Sequence, residues 1–208
     1  MSKKTVKTTT SGKTPLLVLA SGSPYRRMLL ERLGLPFTSV VPQVDEAPLP
    51  QERPAETAVR LAEAKARAVG ASHSDALVIG SDQIAEFGGV PLGKPRDPAD
   101  ALEQLRAMRG RTVVFHTGLA LLNTSTGGCQ SALVDVVSTF RSLEDGALQA
   151  YLERERPFDC AGSVKAEALG IALFTRIASD DPTALIGLPL IRLTDMLAAE
   201  GVSSLVRT

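Results

Sequence analysis

Five separated stretches of the sequence each bring a cation or a carboxylate, most of them next to glycine, serine or proline. Their charged residues are Arg26 with Arg27, Asp45 with Glu46, Lys65, Asp82 with Lys94, and Lys165 with Glu167. Lysines and arginines neutralise a polyphosphate, whereas carboxylates hold a divalent metal and activate water. Together these residue types predict metal-assisted phosphoryl chemistry.

The first stretch passes from strand to helix through a small, hydroxyl-rich and basic turn. Leu16 to Ala20 is continuously apolar, which is typical of a strand buried on both faces. A Ser-Gly-Ser turn follows, and Pro24 suits the first turn of the next helix. Such a helix N-terminus offers free amides and a positive dipole end, so we expect Ser21, Arg26 and Arg27 to bind phosphate. The alternative is that both arginines only solvate a surface helix.

The carboxylates of interest are Asp82 and Glu46. Asp82 follows the apolar run Leu77 to Ile79, at the carboxyl end of a predicted strand, where open α/β sheets usually carry ligand groups. It could bind a metal, accept a proton from water, or do both, and the alternative is a turn or capping role. Glu46 lies in the proline-rich loop 42–50, whose rigid backbone could hold a metal ligand or a plain solvated charge.

Three lysines could complete the phosphate site. Lys65 lies near the apolar face of a predicted helix, from which it reaches either a phosphate or bulk water. Lys94 stands between glycine and proline, a constraint that a solubilising lysine does not need. Lys165 and Glu167 point to one face if their segment is extended. They could form one polar wall of a site, or they could be an exposed pair that contributes little stability. We expect His116 to be a hydrogen-bonded strand residue and not a catalytic base.

The elements that must position these residues alternate between helix and strand. Predicted helices cover about 24–34, 53–69, 99–109, 143–154 and 190–200, and predicted strands cover 16–20, 37–41, 77–79 and 171–174, with a short hairpin over 84–96 and a long one pairing 111–122 with 131–140. The pattern predicts the α/β class, without a repeat or an obvious linker.

Composition narrows the function classes. The chain has 208 residues, 44% of them hydrophobic, which is enough for a substantial core. Its 23 basic and 23 acidic residues cancel, which disfavours a general nucleic-acid or membrane-surface binder and favours a small anionic ligand. Neither a P-loop nor a GxGxxG motif is present, so a P-loop NTPase and a Rossmann oxidoreductase are not supported.

The cellular setting also follows from composition. Cys129 and Cys160 lack metal-ligand spacing and are too few for a disulfide scaffold, which fits a reducing compartment. The apolar runs are far short of a membrane span. Residues 1–14 contain lysines, threonines and serines but no apolar core, which predicts a disordered tail and not a signal peptide. We therefore expect a cytoplasmic protein with one domain over 15–208.

Seven motifs in order resemble one known family, the Maf-like nucleoside triphosphate pyrophosphatases. They are Leu19-Ala-Ser-Gly-Ser-Pro-Tyr-Arg-Arg27, Val44-Asp-Glu46, Ala64-Lys-Ala66, Gly80-Ser-Asp-Gln83, Gly93-Lys-Pro95, His116-Thr-Gly118 and Ala161-Gly-Ser163. The resemblance implies a mixed, twisted sheet with flanking helices and two lobes around a central cleft. It also implies cleavage of a nucleoside triphosphate to monophosphate and pyrophosphate, a divalent cation (Mg²⁺, Mn²⁺ or Co²⁺), often a homodimer, and Asp82 as proton acceptor beside Glu46.

The sequence is most like the 7-methyl-GTP branch of that family. The branch that hydrolyses dTTP and UTP carries Arg, Thr and Gln where this chain has Tyr25, Gln83 and Glu167. An aromatic residue, Gln and Glu resemble the 7-methyl-GTP branch, although that branch usually has tryptophan at the position of Tyr25. N7-methylation makes guanine a delocalised cation, which an aromatic face and a carboxylate favour. The rival expectations are a dTTP/UTP pyrophosphatase and a non-catalytic nucleotide-binding regulator of cell division.

Overall fold

The computed structural model describes residues 15–205. The predicted disordered tail, 1–14, lies outside the described residues, as do residues 206–208. The strands are β1 (Leu16–Ala20), β2 (Phe37–Val40), β3 (Ala76–Phe87), β4 (Val90–Leu92), β5 (Thr112–Asn123), β6 (Cys129–Phe140) and β7 (Phe174–Ala178). The α-helices are α1 (Pro24–Glu31), α2 (Pro54–Gly70), α3 (Pro98–Met108), α4 (Asp145–Glu155) and α5 (Leu190–Ala199).

All seven strands form one mixed sheet in the order β2-β1-β3-β5-β6-β7, with β4 paired to β3 off this path. The strand β1 runs parallel to β2 and β3, whereas the remaining pairs are antiparallel. The five helices flank this open sheet, which confirms the predicted mixed α/β class. Within residues 15–205, no helix is long and apolar enough to cross a membrane.

Two packed regions lie along the long strands. Near β1, one region packs α1 and α5 against one face of the sheet and α2 against the other. Leu77 and Ile79 of β3 belong to this β1 core. Farther along the same strand, Ala85 belongs to an α3–α4 core that contains residues of both those helices. The segment of β3 between the two cores, with Asp82 and Gln83, is therefore left to face a cleft.

Two glycines let α2 lie directly on the sheet. A Cβ atom added to Gly80 would lie 2.0 Å from the Ala62 carbonyl oxygen, and one added to Gly118 would lie 2.1 Å from that of Ala58. Real Cβ atoms never approach backbone so closely, so any side chain here would push the helix away. This close packing brings Lys65 of α2 against the cleft segment of β3.

The segment from 164 to 178 differs from the sequence-based prediction. Residues 166–168 form a turn and not an extended strand, because the amides of Ala168 and Gly170 both donate to the Lys165 carbonyl. Leu169–Leu173 is a 3₁₀ helix, and the strand predicted at 171–174 instead begins at Phe174. The Phe174 ring packs edge-on against Phe140 with 4.7 Å between ring centroids, which anchors the start of β7.

Candidate active site

A cavity of about 750 Å³ opens between the two cores. Its wall combines the turn before α1, the middle of β3, the loop between β2 and α2, the segment after β4 and the turn around residue 160. The predicted site residues that line it are Ser21, Tyr25, Arg26, Glu46, Lys65, Asp82, Gln83, Lys94 and Glu167. The size is within the range of small-molecule sites, roughly 300 to 1,000 Å³.

In the cavity wall, one lysine lies between two carboxylates. Lys65 Nζ lies 2.6 Å from Asp82 Oδ1 and 2.7 Å from Glu46 Oε1. Lys65 and Asp82 are buried, whereas the Glu46 side chain is 58% exposed. The hydrogen bond from Lys65 lowers the pKa of the Glu46 carboxyl, and burial opposes that effect. The two predicted metal ligands therefore lie close enough to share one cation.

Arg26 lies at the anion-binding end predicted at the start of α1. Ser23 caps this helix by accepting a hydrogen bond from the Arg26 amide, and Pro24 lies in its first turn, as predicted. Arg26 Nε donates to the Gly187 carbonyl at 2.9 Å, which fixes the guanidinium toward the cavity wall. Burial lowers the pKa of Arg26, and the carboxylates of Asp82 and Glu46 oppose that effect.

Gln83 presents an amide of fixed orientation at the cavity wall. Its Nε2 lies 2.8 Å from the Ala184 carbonyl, 3.1 Å from the Leu185 carbonyl and 3.0 Å from Thr117 Oγ1. Carbonyl oxygens only accept hydrogen bonds, so the nitrogen must face them. This arrangement leaves the Oε1 atom of Gln83 as the acceptor for a donor in the cavity.

Tyr25 and Glu167 add an aromatic and an acidic side chain to the cavity wall. Burial raises the pKa of the Tyr25 hydroxyl, which donates to Asp159 Oδ2 at 3.4 Å. Burial also raises the pKa of the half-buried Glu167 carboxyl, and Asp159 adds to that rise. Among the described residues, none donates a hydrogen bond to the buried Oε1 atom of Glu167. An unpaired carboxylate oxygen in a cavity wall favours a ligand that brings a donor or a positive charge.

Two predicted phosphate ligands lie outside the cavity lining. Arg27 is exposed, with Nε 3.3 Å from Glu31 Oε1 and its guanidinium 5.9 Å from the centre of the Phe37 ring. Arg27 thus lies on a solvated helix face, which was the alternative to a phosphate-binding role. Lys165 Nζ lies 3.8 Å from Glu155 Oε2 and 5.6 Å from the centre of the Tyr25 ring. The structure therefore brings Lys165 to Glu155 and the Tyr25 ring.

His116 is hydrogen-bonded within the sheet, as expected, and it is buried. Its Nδ1 lies 2.7 Å from Asp135 Oδ1, and its Nε2 lies 3.1 Å from Glu86 Oε2. These contacts connect β3, β5 and β6. His116 is absent from the cavity lining among the described residues, so its contacts are structural.

Several residues of the site have no signal in the sequence analysis. Asp159 lies next to Tyr25, Glu52 lines the cavity beside the Glu46 loop, and the Gly187 carbonyl holds Arg26. Gly187 has φ of +112°, and its place in Ile-Gly-Leu-Pro could have predicted a turn but not a contact with a helix 161 positions earlier. Asp159 and Glu52 look like ordinary surface acids in the sequence.

The metal-binding potential of the site rests on its donor set. Among residues 15–205, no group of three or more histidine, cysteine or acidic side chains is arranged to hold a metal ion. Two carboxylates that share one cation nevertheless fit Mg²⁺, because Mg²⁺ is usually bound by one or two carboxylates together with water and substrate phosphates. Glu46 and Asp82 therefore fit a divalent metal whose remaining ligands are water or the phosphates of a bound nucleotide.

Comparison with known proteins agrees with this geometry. A 7-methyl-GTP pyrophosphatase of Ralstonia nicotianae is 60% identical over 183 residues, which are 88% of this chain and 94% of the relative. Another of Thiobacillus denitrificans is 57% identical over 92% of this chain and 95% of the relative. The family model described as Maf-like protein matches residues 16–200. The motif-based expectation is thereby confirmed, and the chain belongs to the Maf-like protein family.

Proposed function

We propose that this protein hydrolyses 7-methyl-GTP, or a closely similar cationic nucleotide, to the monophosphate and pyrophosphate. The observation that carries the proposal is one cavity whose wall holds two groups of residues. Arg26 and Lys94, which act electrostatically on the Glu46 carboxylate, are its basic end, and Tyr25, Asp159 and Glu167, which act on one another, are its acidic end. Relatives that cover most of this chain at 52–60% identity bear the name 7-methyl-GTP pyrophosphatase. The polarity of the cavity supports a nucleotide that lies with its phosphates at Arg26 and its base at Glu167.

The phosphates would be bound at the basic end. Arg26 offers the guanidinium nitrogens that the Gly187 carbonyl leaves free, and Lys94 lines the same cavity. Ser21 and the amides before α1 add donors and a positive dipole end. These groups would neutralise the pyrophosphate as it leaves, when its negative charge is greatest.

Asp82 would accept the proton of the attacking water. Water attacks the α-phosphorus, the bond to the bridging oxygen of the β-phosphate breaks, and pyrophosphate leaves with the electron pair. Asp82 lines the same cavity as Arg26 and acts electrostatically on that guanidinium. Its contact with Lys65 holds the carboxylate in place and keeps the ammonium close to the phosphate path. A carboxylate that is held in position beside the reacting water can act as a general base.

Glu46 and Asp82 would hold the divalent metal. A bound metal would polarise the phosphoryl oxygens and lower the pKa of water. The protein's own part is to bring the two carboxylates around one cation-sized space, which the Lys65 ammonium occupies in this structure and would yield to the metal. We assign no preference among Mg²⁺, Mn²⁺ and Co²⁺.

The base would lie against Tyr25, Gln83 and Glu167. Gln83 Oε1 and the unpaired oxygen of Glu167 are acceptors for the N–H groups of guanine. The Tyr25 ring would offer a π face, for which the cationic base would compete with Lys165. A cation–π contact contributes about 0.5 to 2 kcal/mol and a hydrogen bond to a charged group about 1.5 to 3 kcal/mol. Together they could discriminate the methylated cation from neutral guanine by about 10²-fold.

The test is a nucleotide screen with Mg²⁺ or Mn²⁺ that measures pyrophosphate release. We expect 7-methyl-GTP to give the highest kcat/KM, and Asp82→Asn to lower kcat by about 10²-fold while the variant remains folded. A wild type that prefers dTTP or UTP would move the chain to the other branch. Nucleotide binding without turnover by any substrate would favour the regulator. Near-normal activity in folded Asp82→Asn would remove Asp82 from the mechanism.

A further inference from the structure

The loop that carries Glu46 is not held by secondary structure. Residues 41–53 connect β2 to α2 without strand or α-helix hydrogen bonding. Three prolines within the loop also remove backbone donors. The Glu46 side chain is 58% exposed, so burial does not immobilise it. Other contacts must therefore keep this carboxylate beside Lys65.

Arg60 of α2 reaches across this loop. Its Nε and Nη2 atoms donate to the two carboxylate oxygens of Glu52 at 2.5 and 2.8 Å. Nη2 also donates to the Ala47 carbonyl at 3.0 Å, and Glu52 Oε2 accepts from the Leu49 amide at 2.9 Å. The arginine–glutamate pair therefore touches the backbone at the residue directly after Glu46 and again two residues later.

This pair differs from the ordinary surface pairs of the chain. The Glu52 side chain is only 9% exposed and that of Arg60 is 30% exposed, whereas the neighbouring Arg53–Glu56 pair is 77% and 49% exposed. The hydrogen bond from Arg60 lowers the pKa of Glu52 to about 2, so this carboxylate stays ionised at neutral pH. A forked arginine–carboxylate contact also fixes geometry better than a single charge pair does.

We propose that Arg60 and Glu52 form a latch that positions Glu46 for binding the divalent metal. The latch rests on the proposed function, in which Glu46 is a metal ligand. Arg60 and Glu52 are positioning residues, because they act on the loop backbone and through it on Glu46. Residues that orient metal ligands typically change metal affinity by about 10- to 100-fold when they are replaced.

The sign of the effect separates a latch from simple electrostatics. Arg60→Met removes a positive charge from the surroundings of Asp82, which by charge alone would tighten Mn²⁺ binding. Loss of the latch would instead free the loop that carries Glu46, and Mn²⁺ binding would become weaker. We expect the Mn²⁺ dissociation constant, measured by electron paramagnetic resonance without nucleotide, to rise about 10-fold in Arg60→Met. Arg60→Lys keeps the charge but loses the fork, so it should weaken binding in the same direction.

The matched control is Arg53→Met, which removes an arginine–glutamate pair at the same end of α2 without touching residues 47–49. It should leave Mn²⁺ affinity unchanged. Glu52→Gln should weaken binding, and it carries the test with Arg60→Lys if Arg60→Met fails to fold. Melting temperatures of the same samples confirm that each variant is folded.

A double-mutant cycle with Glu46→Gln completes the experiment. If the latch acts through Glu46, Arg60→Met should cause no further loss of Mn²⁺ affinity in the Glu46→Gln background. An equal loss in both backgrounds, or an Arg60→Met variant with unchanged or tighter Mn²⁺ binding, would overturn the latch. Unchanged Mn²⁺ affinity in Glu46→Gln alone would overturn the metal assignment and the latch with it, without bearing on the nucleotide that the wild type prefers.

Discussion

At the scale of single residues, Glu167 combines a buried, unpaired oxygen with a position on the cavity wall. We expect Glu167→Gln to lower kcat/KM for 7-methyl-GTP by about 10-fold or more, and that for GTP much less, because only the methylated base carries the positive charge. The measurement is a paired assay of both substrates on wild type and variant. Equal losses on the two substrates would argue against a role of Glu167 in base selection.

The titration of Glu167 gives this selectivity a pH dependence. Burial raises the pKa of the carboxyl, so its ionised fraction falls earlier than that of an ordinary glutamate as the pH decreases. The cationic base needs the ionised form, so the ratio of kcat/KM for 7-methyl-GTP to that for GTP should decrease from pH 6.5 to pH 5, a range in which the methylated base keeps its N1 proton and stays cationic. The ratio cancels pH effects common to both substrates. In Glu167→Gln it should be flat across the same range.

Lys65 occupies the space between the two proposed metal ligands. Lys65→Met would leave Glu46 and Asp82 without their shared cation, so their mutual repulsion should favour a metal. We expect Mn²⁺ to bind about 10-fold more tightly without nucleotide, while the nucleotide KM rises because a phosphate contact is lost. Arg67→Met removes an exposed positive charge from the same helix and serves as the control. Weaker Mn²⁺ binding in Lys65→Met would show that the lysine organises the carboxylates instead of competing for them.

At the scale of elements, the position of Lys65 depends on how closely α2 approaches β3. Gly80→Ala would place a methyl group 2.0 Å from the Ala62 carbonyl and force the helix away. We expect a loss of about 1 to 3 kcal/mol in the free energy of unfolding, measured in urea, together with lower kcat.

Gly146 provides the matched control for that substitution. It lies in the first turn of α4 with no atom within 4 Å of an added Cβ, so Gly146→Ala should stabilise the protein, by less than the roughly 0.5 to 1 kcal/mol expected in a helix interior. The opposite signs test the geometry of the helix–sheet contact. A Gly80→Ala variant as stable and active as wild type would contradict the close packing of α2.

At the scale of the whole molecule, the long strands β3, β5 and β6 pass through both cores. We therefore predict that residues 15–208 unfold as one domain. The two cysteines can report on this. Burial raises the pKa of Cys129, which packs against the β1 core, and raises that of Cys160 to about 12, at the cavity near the α3–α4 core.

The experiment compares Cys129→Ser with Cys160→Ser, each of which retains one thiol. In a urea series, the remaining thiol of each variant should become reactive toward a disulfide reagent over the same transition as the far-ultraviolet circular dichroism. A thiol that becomes reactive at a clearly lower urea concentration than its counterpart would indicate two independently unfolding units.

The sequence by itself determined the features that depend on near neighbours in the chain. Continuous apolar runs predicted β1 and the start of β3, and the Ser-Pro turn predicted the capped start of α1. The paired glycines predicted the turn of the β3–β4 hairpin, where both adopt positive φ. Seven ordered motifs also identified the family. Strand periodicity, capping and turn chemistry act over a few residues, so a linear sequence contains them.

Only the tertiary structure decided which charged residues meet. Arg26 and Arg27 are adjacent in sequence, but a helix rotates about 100° per residue, so one lines the cavity and the other pairs with Glu31 on the outside. Lys65 meets Asp82 because glycines let α2 lie on the sheet. Gln83 is oriented by carbonyls about 100 positions later. Contacts of this kind depend on how whole elements pack, and packing is a property of the folded chain and not of any local pattern.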